Sequence, residues 1–470
     1  MKTKKTKMLA MTLVSCLLAC MGAMVSSCGS KETQEEEKPD YDLVALAEAV
    51  EKYDEVDGFS DGLARVAVGE KDEYGNIING KWGFINKMGE EVIPLKYDWA
   101  GSFSDGLAKV RIGDKWGFIN KEGELVIPCE YDDAESFSEG LAKVGRGEKN
   151  EYGYLSGKYG FINTKGEEVV PCEYDDAESF SEGLAKVGRG EIEIGTKWGL
   201  INMKGEEVVP CEYDEVGGFS DGLAMVVRKD KAGFVNTKGE LVIPLKYDGV
   251  LYEIYYSFSE GFAAVCEDYK WGFVNKEGEE VIPCKYDNAV EFSEGLARVH
   301  MGDWRTGKWG FINTKGEQVI PCKYDEVWPF SEGLAAVENG GKWGFVNTKG
   351  EQVIPLKYDE AEGFSEGLAK VRIGDWETGK WGFINMKGEE VVPLKYDRAE
   401  DFSDGLAKVV ANGKLGFINK EGEEVIPLKY DRIGDFSEGL ALVKIGDKWG
   451  YMDKEGNDTF SVSREAKDKE

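Results

Sequence analysis

Histidine is all but missing from this chain, which has one, His300. Charge-relay and imidazole-metal chemistries therefore have almost nothing to work with. Cysteine occurs nine times but never as C-x-x-C, and five of the nine come singly at one repeated position, so a zinc cluster has no ligand spacing to draw on. Serine falls mainly in one turn phrase. Basic charge is short as well: 58 Lys and Arg face 89 Asp and Glu, a formal net charge of −31. A field of that sign repels nucleic acid and anionic headgroups, and solubility alone is sufficient reason for it. Proline occurs twelve times, ten of them in one Ile-Pro or Val-Pro phrase. Lacking an N–H, that proline belongs at a strand end, an edge or a bulge.

What is abundant is repetition. Lys81–Asn86 reads Lys-Trp-Gly-Phe-Ile-Asn, and the same phrase or a variant begins at Lys115, Lys158, Lys197, Lys231, Lys270, Lys308, Lys342, Lys380, Lys414 and Lys448. A second phrase, Phe-Ser-[Asp/Glu]-Gly, recurs with a basal period of 34 residues from Phe59 to Phe436. Helical repeats share that period, but frequent glycine and the Val, Ile, Phe and Trp in the apolar positions make this unit β. In the simplest copy Ala108, Val110 and Ile112 alternate with Lys109 and Arg111, a strand with one wet face. Gly113-Asp114 fits a two-residue hairpin turn, the strand Lys115–Asn120 follows, and Gly123 sits where a turn needs positive φ. The third strand puts Leu125, Ile127, Cys129 and Tyr131 on one face. The Tyr-Asp that closes each unit and the acid of Phe-Ser-[Asp/Glu]-Gly read as turn-formers accepting local backbone N–H bonds.

The unit is thus a three-stranded antiparallel meander too small to fold alone, stabilised by stacking. Eleven units exceed the usual four to eight blades of a propeller, so an open superhelical array is expected, with one large ring or two rings as the alternative. Cys129, Cys172, Cys211, Cys284 and Cys322 exchange with Leu95, Leu245, Leu356, Leu394 and Leu428, as expected for free thiols in an apolar position. Replacement of the repeated tryptophan by Tyr159, Ala232 and Leu415 fits core filling better than stacking on a ligand.

These phrases resemble the bacterial WG-containing repeat, whose members carry tandem copies of Lys-Trp-Gly-Phe-Ile-Asn-Lys-x-Gly-Glu-Glu-Val-Ile-Pro-x-x-Tyr-Asp. The resemblance spans about Tyr53 to Lys454 and implies a β-rich module with no agreed activity. Residues 1–27 read as an export signal, with Lys2, Lys4, Lys5 and Lys7 before an apolar stretch. Val25-Ser26-Ser27-Cys28 resembles a bacterial lipobox, which implies lipidation of Cys28; Cys20 is a rival, and an uncleaved membrane anchor is the other reading. The tether 28–39 is acidic and polar, and resembles the signal sending lipoproteins of Bacteroidota-type bacteria to the cell surface. A short helical cap over 40–52, repeats over 53–456 and a polar tail over 457–470 complete the expected organisation.

No copy of the repeat supplies a nucleophile, base and orienting group, so no catalytic residue, cofactor or metal is expected. Asp453–Asp458 is an imperfect calcium loop, better read as a solvated turn. Variation is more informative. Five units lengthen the same hairpin, at Gly69–Gly80, Gly145–Gly157, Gly188–Thr196, Met301–Gly307 and Ile373–Gly379. They should share one rim, and their Tyr74, Tyr152, Tyr154, Trp304, Arg305 and Trp376 are candidate binding residues. A sixth insertion, Gly249–Ser257 with Tyr252, Tyr255 and Tyr256, is expected on a different face. The function expected is a lipid-anchored, outer-membrane scaffold, surface-exposed or periplasmic, that binds another protein. Glycan binding is the alternative and hydrolysis by an acidic pair a third; no nucleic-acid partner is expected, and membrane contact only through the lipid.

Overall fold

The computed structural model describes residues 39–149, 155–190, 195–249, 257–303 and 305–462. Cys20, Cys28, Tyr152, Tyr154, Tyr252, Tyr255, Tyr256 and Trp304 lie outside the described residues. Among those described, no helix is long and apolar enough to cross a membrane.

Within the unit Asp40–Glu470 the chain forms eleven antiparallel sheets, ten of four strands and the last of three. Blade one runs Glu55–Ser60, Leu63–Lys71, Ile77–Asn86 and Glu91–Tyr97, paired in that order. Three of the four are the strands expected. The added one comes first, in the stretch the sequence presents as a linker. It carries glycine, serine and acids where a strand usually has β-branched residues, and its pairing with the second strand shifts register between Val56 and Phe59. First strands of neighbouring blades lie side by side, and Ser60 Oγ donates to Phe103 O of the next blade at 2.7 Å. The same bond recurs from Ser104, Ser138, Ser220, Ser259, Ser293, Ser331 and Ser365. These strands form the inner wall.

The array is closed, contrary to the open superhelix expected. Phe59 packs 4.8 Å from the Tyr451 ring, Tyr451 Oη donates to Asp57 O at 2.6 Å, and Gly62 N donates to Glu438 at 3.0 Å. Blade one therefore meets blade eleven as every other blade meets its neighbour, in an eleven-bladed propeller ring. Blade number follows from how far each sheet turns relative to the last, and the usual range sets no ceiling on it.

Closure rests on two end pieces. Asp42 caps the helix Leu43–Val50 by accepting from Val44 N and Ala45 N, and Leu46, Ala47, Ala49 and Val50 are buried. The helix stands where blade eleven lacks a fourth strand: Gly89 of blade one abuts Ala45 and Leu46, whereas its counterpart Gly123 abuts Ile93 of a fourth strand. The expected polar tail is partly structural too. Asp458 is fully buried, bridges Met452 and accepts from Tyr430 and Lys429, and Thr459 Oγ1 accepts from Tyr451 N. The two end aspartates of the Asp453–Asp458 turn are thus buried in bonds within the protein, while Lys454, Glu455 and Asn457 between them are exposed, as expected of a solvated turn.

Because blades pack face to face, both faces of the second and third strands are covered. The expected wet face is not wet: Lys109 is half-buried and reaches Ala134 O of the next blade at 2.7 Å, while Ile112, placed inside by its pattern, is 50% exposed. Phenylalanines of adjoining blades meet edge to face, as in Phe84–Phe103, Phe118–Phe137 and Phe345–Phe364 at 4.8–5.0 Å. The glycine of Trp-Gly is demanded by the fourth strand, whose Ile-Pro-[Leu/Cys] stretch crosses directly over it. A Cβ on Gly83 would stand 2.4 Å from Ile93 O, and ten blades repeat this approach.

Candidate functional site

An antiparallel meander of four strands sends its first and third turns to one end and its second turn and exit link to the other. The ring therefore has a face built from Phe-Ser-[Asp/Glu]-Gly and Asn-Lys-x-Gly-Glu turns, and a face built from the second hairpins and the Tyr-Asp links.

The first face is uniform. All eleven acids of the turn, from Asp61 to Glu438, take left-handed φ of 51–56°, which is costly for a side-chain-bearing residue. Their carboxylates do not cap locally as expected. Asp61 accepts from Gly106 N, Asp105 from Gly140 N, Glu332 from Gly367 N and Glu438 from Gly62 N, each in the following blade at 2.8–3.0 Å.

The Tyr-Asp aspartates also reach between blades. Asp98 takes Lys81 Nζ of its own blade at 2.5 Å and Gly113 N of the next at 2.7 Å. Ten blades make the lysine–aspartate pair, and at the seam Lys448 meets Glu51 instead. The lysine hydrogen bond holds Asp98, Asp287 and Asp359 below the usual carboxylate range.

All five lengthened hairpins leave from this second face, as expected. They belong to blades one, three, four, seven and nine, so they are spread around the ring and do not form one cluster. Two are built alike. Asp375 accepts from Glu377 N, Thr378 N and Thr378 Oγ1, and Asp303 accepts from Arg305 N and Thr306 N. Such self-tied turns hold their tips outward: Trp376 is 82% exposed, as is Tyr74 in a loop tied by Asp72. Neither side chain covers its own loop. Of the sixth insertion, residues 250–256 lie outside the described residues, and the link that leads into it shares the end of the second hairpin. Gly249 N donates to Asp230 O in that hairpin of blade five.

Two features escaped the sequence. Tyr269, in the tight hairpin of blade six, is 76% exposed and, with Asp268, has positive φ, as Lys229 and Asp230 do in blade five, where blades two, eight, ten and eleven place Gly or Asn. The departure Glu-Asp-Tyr-Lys from that turn chemistry was the available signal. Beside the Tyr74 loop the seam opens a cleft of ≈ 780 Å³. Its apolar lining includes Val50, Tyr53, Ile445, Trp449 and Phe460, with Lys71 and Lys448 at the polar edge. No sequence pattern announces a cavity whose walls come from opposite ends of the chain. The one histidine is no part of it: His300 is 8% exposed and packs 5.1 Å from the Trp309 ring.

The fold and site define a large β-propeller ring with one stapled, uniform face and one variable face. The WG containing repeat matches at residues 49–71, 82–116, 116–149, 159–190, 198–231, 233–271, 271–303, 309–343, 343–375, 381–414 and 416–449. The chain belongs to that family. No curated protein matches it. Similar solved structures include a eukaryotic initiation factor, at 12% identity over 68% of this chain and 95% of that one, TM-score 0.40. Hsv2p of Kluyveromyces lactis is similar at 11% identity over 52% and 91%, TM-score 0.31, and the tricorn protease at 11% over 86% and 57%, TM-score 0.21.

Proposed function

We propose that this protein is a non-enzymatic binding scaffold of the cell envelope, held by lipid on Cys28, that engages a protein through its hairpin face. One observation carries the reading: the described stems of the lengthened hairpins, the exposed Tyr74, Tyr269 and Trp376 and the seam cleft, whose lining mixes apolar and charged side chains, all open on that face, while the other repeats one stapled turn eleven times. Aromatic anchors are where protein interfaces concentrate affinity. The lipidated anchor is supported by the lipobox-like Val25–Cys28 alone.

Glycan binding is the second reading, favoured by the flat, open rings of Trp376 and Tyr74 on tied loops. Envelope extracts passed over the native ring and over a ring with all five hairpins trimmed to two-residue turns separate the cases. Loss of specific captured proteins on trimming supports the main reading, and undiminished capture refutes it. Binding on a glycan array that Trp376→Ala abolishes, with no protein captured, transfers the function to glycans.

A further inference from the structure

The hairpins of blades seven and nine are near-copies, Gly-Asp-Trp-Arg-Thr-Gly-Lys at 302–308 and Gly-Asp-Trp-Glu-Thr-Gly-Lys at 374–380. Each is tied through its own aspartate, Asp303 or Asp375, and anchored at its first glycine by the preceding Tyr-Asp carboxylate. Gly302 N donates to Asp287 at 2.8 Å, and Gly374 N to Asp359 at 2.9 Å. They differ underneath. The second strand of blade seven, Leu296–Met301, brings His300 to the foot of its hairpin, and the same place in blade nine holds Arg372. Register fixes the equivalence, with His300 opposite Trp309 and Arg372 opposite Trp381. Both side chains are buried, at 8% and 9% exposure.

The surroundings of the two are not the same. Arg372 faces Glu360 on the first strand, and its guanidinium meets that carboxylate at 2.5 Å. His300 faces Asn288, which has no charge to offer. The imidazole lies instead against the far end of its hairpin. A Cβ on Gly307 would stand 2.2 Å from His300 Cε1 and 2.5 Å from Nε2, whereas one on Gly379 would first meet the backbone of Asp375 and Gly374. Trp309 closes another side, its ring 5.1 Å from the imidazole. Charged groups on the elements packed here are already engaged. Asp287, on which His300 acts, holds Lys270 Nζ at 2.5 Å besides Gly302 N, and Asp303 holds Arg305 N and Thr306 N. Lys308 pairs with Asp325, and Arg298 draws on Glu291 and Glu326. Arg305 places a positive charge in the hairpin itself, where blade nine has Glu377.

We propose that His300 is a pH-sensitive latch on the hairpin of blade seven: its neutral ring floors the loop, and protonation expels the ring from under Gly307 and frees the loop. The latch rests on the hairpin face being the binding surface, and adds that one loop of that face lets go in mild acid. Its near-copy in blade nine, standing over the Arg372–Glu360 pair, does not. The physical reason is desolvation, since a charge buried without a dedicated partner costs far more than one that is paired or in water. Histidine is the side chain whose charge changes between about pH 5 and 8. A closed hairpin that requires the neutral imidazole is stable above that change and is lost as pH falls through it.

The test uses the untagged full chain, in which His300 is the only histidine and its imidazole titration can be followed alone by NMR. Beside it, hydrogen exchange of the 301–307 and 373–379 hairpins is read by mass spectrometry from about pH 8 to 5. The blade-nine copy cancels the pH dependence of exchange itself. Protection of the blade-seven hairpin relative to that copy is expected to fall in step with the imidazole, by up to about tenfold per pH unit, the slope of one proton. His300→Gln removes the dependence, and the fold tolerates the change because Gly145, Val227, Cys266 and Glu338 fill this place in other blades. Asn288→Glu, which copies the Glu360 partner, also removes it. An imidazole that stays neutral throughout, an unchanged ratio between the hairpins, or a dependence that survives His300→Gln overturns the latch. No partner enters the measurement, so its failure leaves the hairpin-face reading standing, just as undiminished capture by the trimmed ring would leave the latch standing.

Discussion

The glycine of Trp-Gly is the least replaceable residue of the repeat, and its tryptophan is not. A Cβ on Gly344 would lie 2.5 Å from Ile354 O and 2.7 Å from Pro355 C, both backbone atoms that cannot step aside alone. Gly344→Ala should destabilise the protein by about 1–3 kcal/mol, as overpacking does, measured by denaturant unfolding with the slope unchanged. Trp343→Leu in the same blade should cost less, since Leu415 and Ala232 already serve in this position. The tryptophan is a half-buried filler beneath second-strand cations, as with Lys109 4.8 Å from the Trp116 centroid and Lys186 4.4 Å from that of Trp198.

Among the elements, the helix Leu43–Val50 carries more than its eight residues suggest, because it substitutes for the strand that would complete blade eleven. Leu46 is fully buried among Phe59, Leu440 and Tyr451, residues of both chain ends. Leu46→Ala should cost about 2–5 kcal/mol and should open the seam before the blades melt. Limited proteolysis is the readout: first cuts near the two ends of the ring fit this role, and first cuts in the middle blades contradict it. The helix was legible from Leu43, Leu46, Ala47 and Val50 at helical spacing. Its task was not, because that depends on residues some four hundred positions away.

At the scale of the whole molecule the ring is held by ion pairs as well as by its core. The aspartates of the Tyr-Asp links have folded-state pKa values below their unfolded ones, so their contribution is present above about pH 3.9 and is lost as pH falls through the folded values. The melting temperature should hold from neutral pH to about 4 and then fall steeply as the links lose charge together. A flat profile down to pH 2 would show that apolar packing alone closes the ring. Three strands per unit, both turns, the repeat count and the face bearing the loops could be read from the sequence, since each is local. The first strand was hidden by its polar composition, closure by its long range, and the carboxylate roles by partners lying one blade away.

The matched repeats run from the tryptophan of one blade to that of the next, as in 82–116 and 309–343. Each therefore carries the outer half of one blade and the inner half of its successor, and the two closing pieces at the chain ends belong to no full copy. Unequal exchange between such near-identical copies would add or drop one repeat without leaving a half-blade exposed, carrying a closed ring of one size to a closed ring of another. In such an architecture copy number is free to vary, while the breadth of the binding face varies with it.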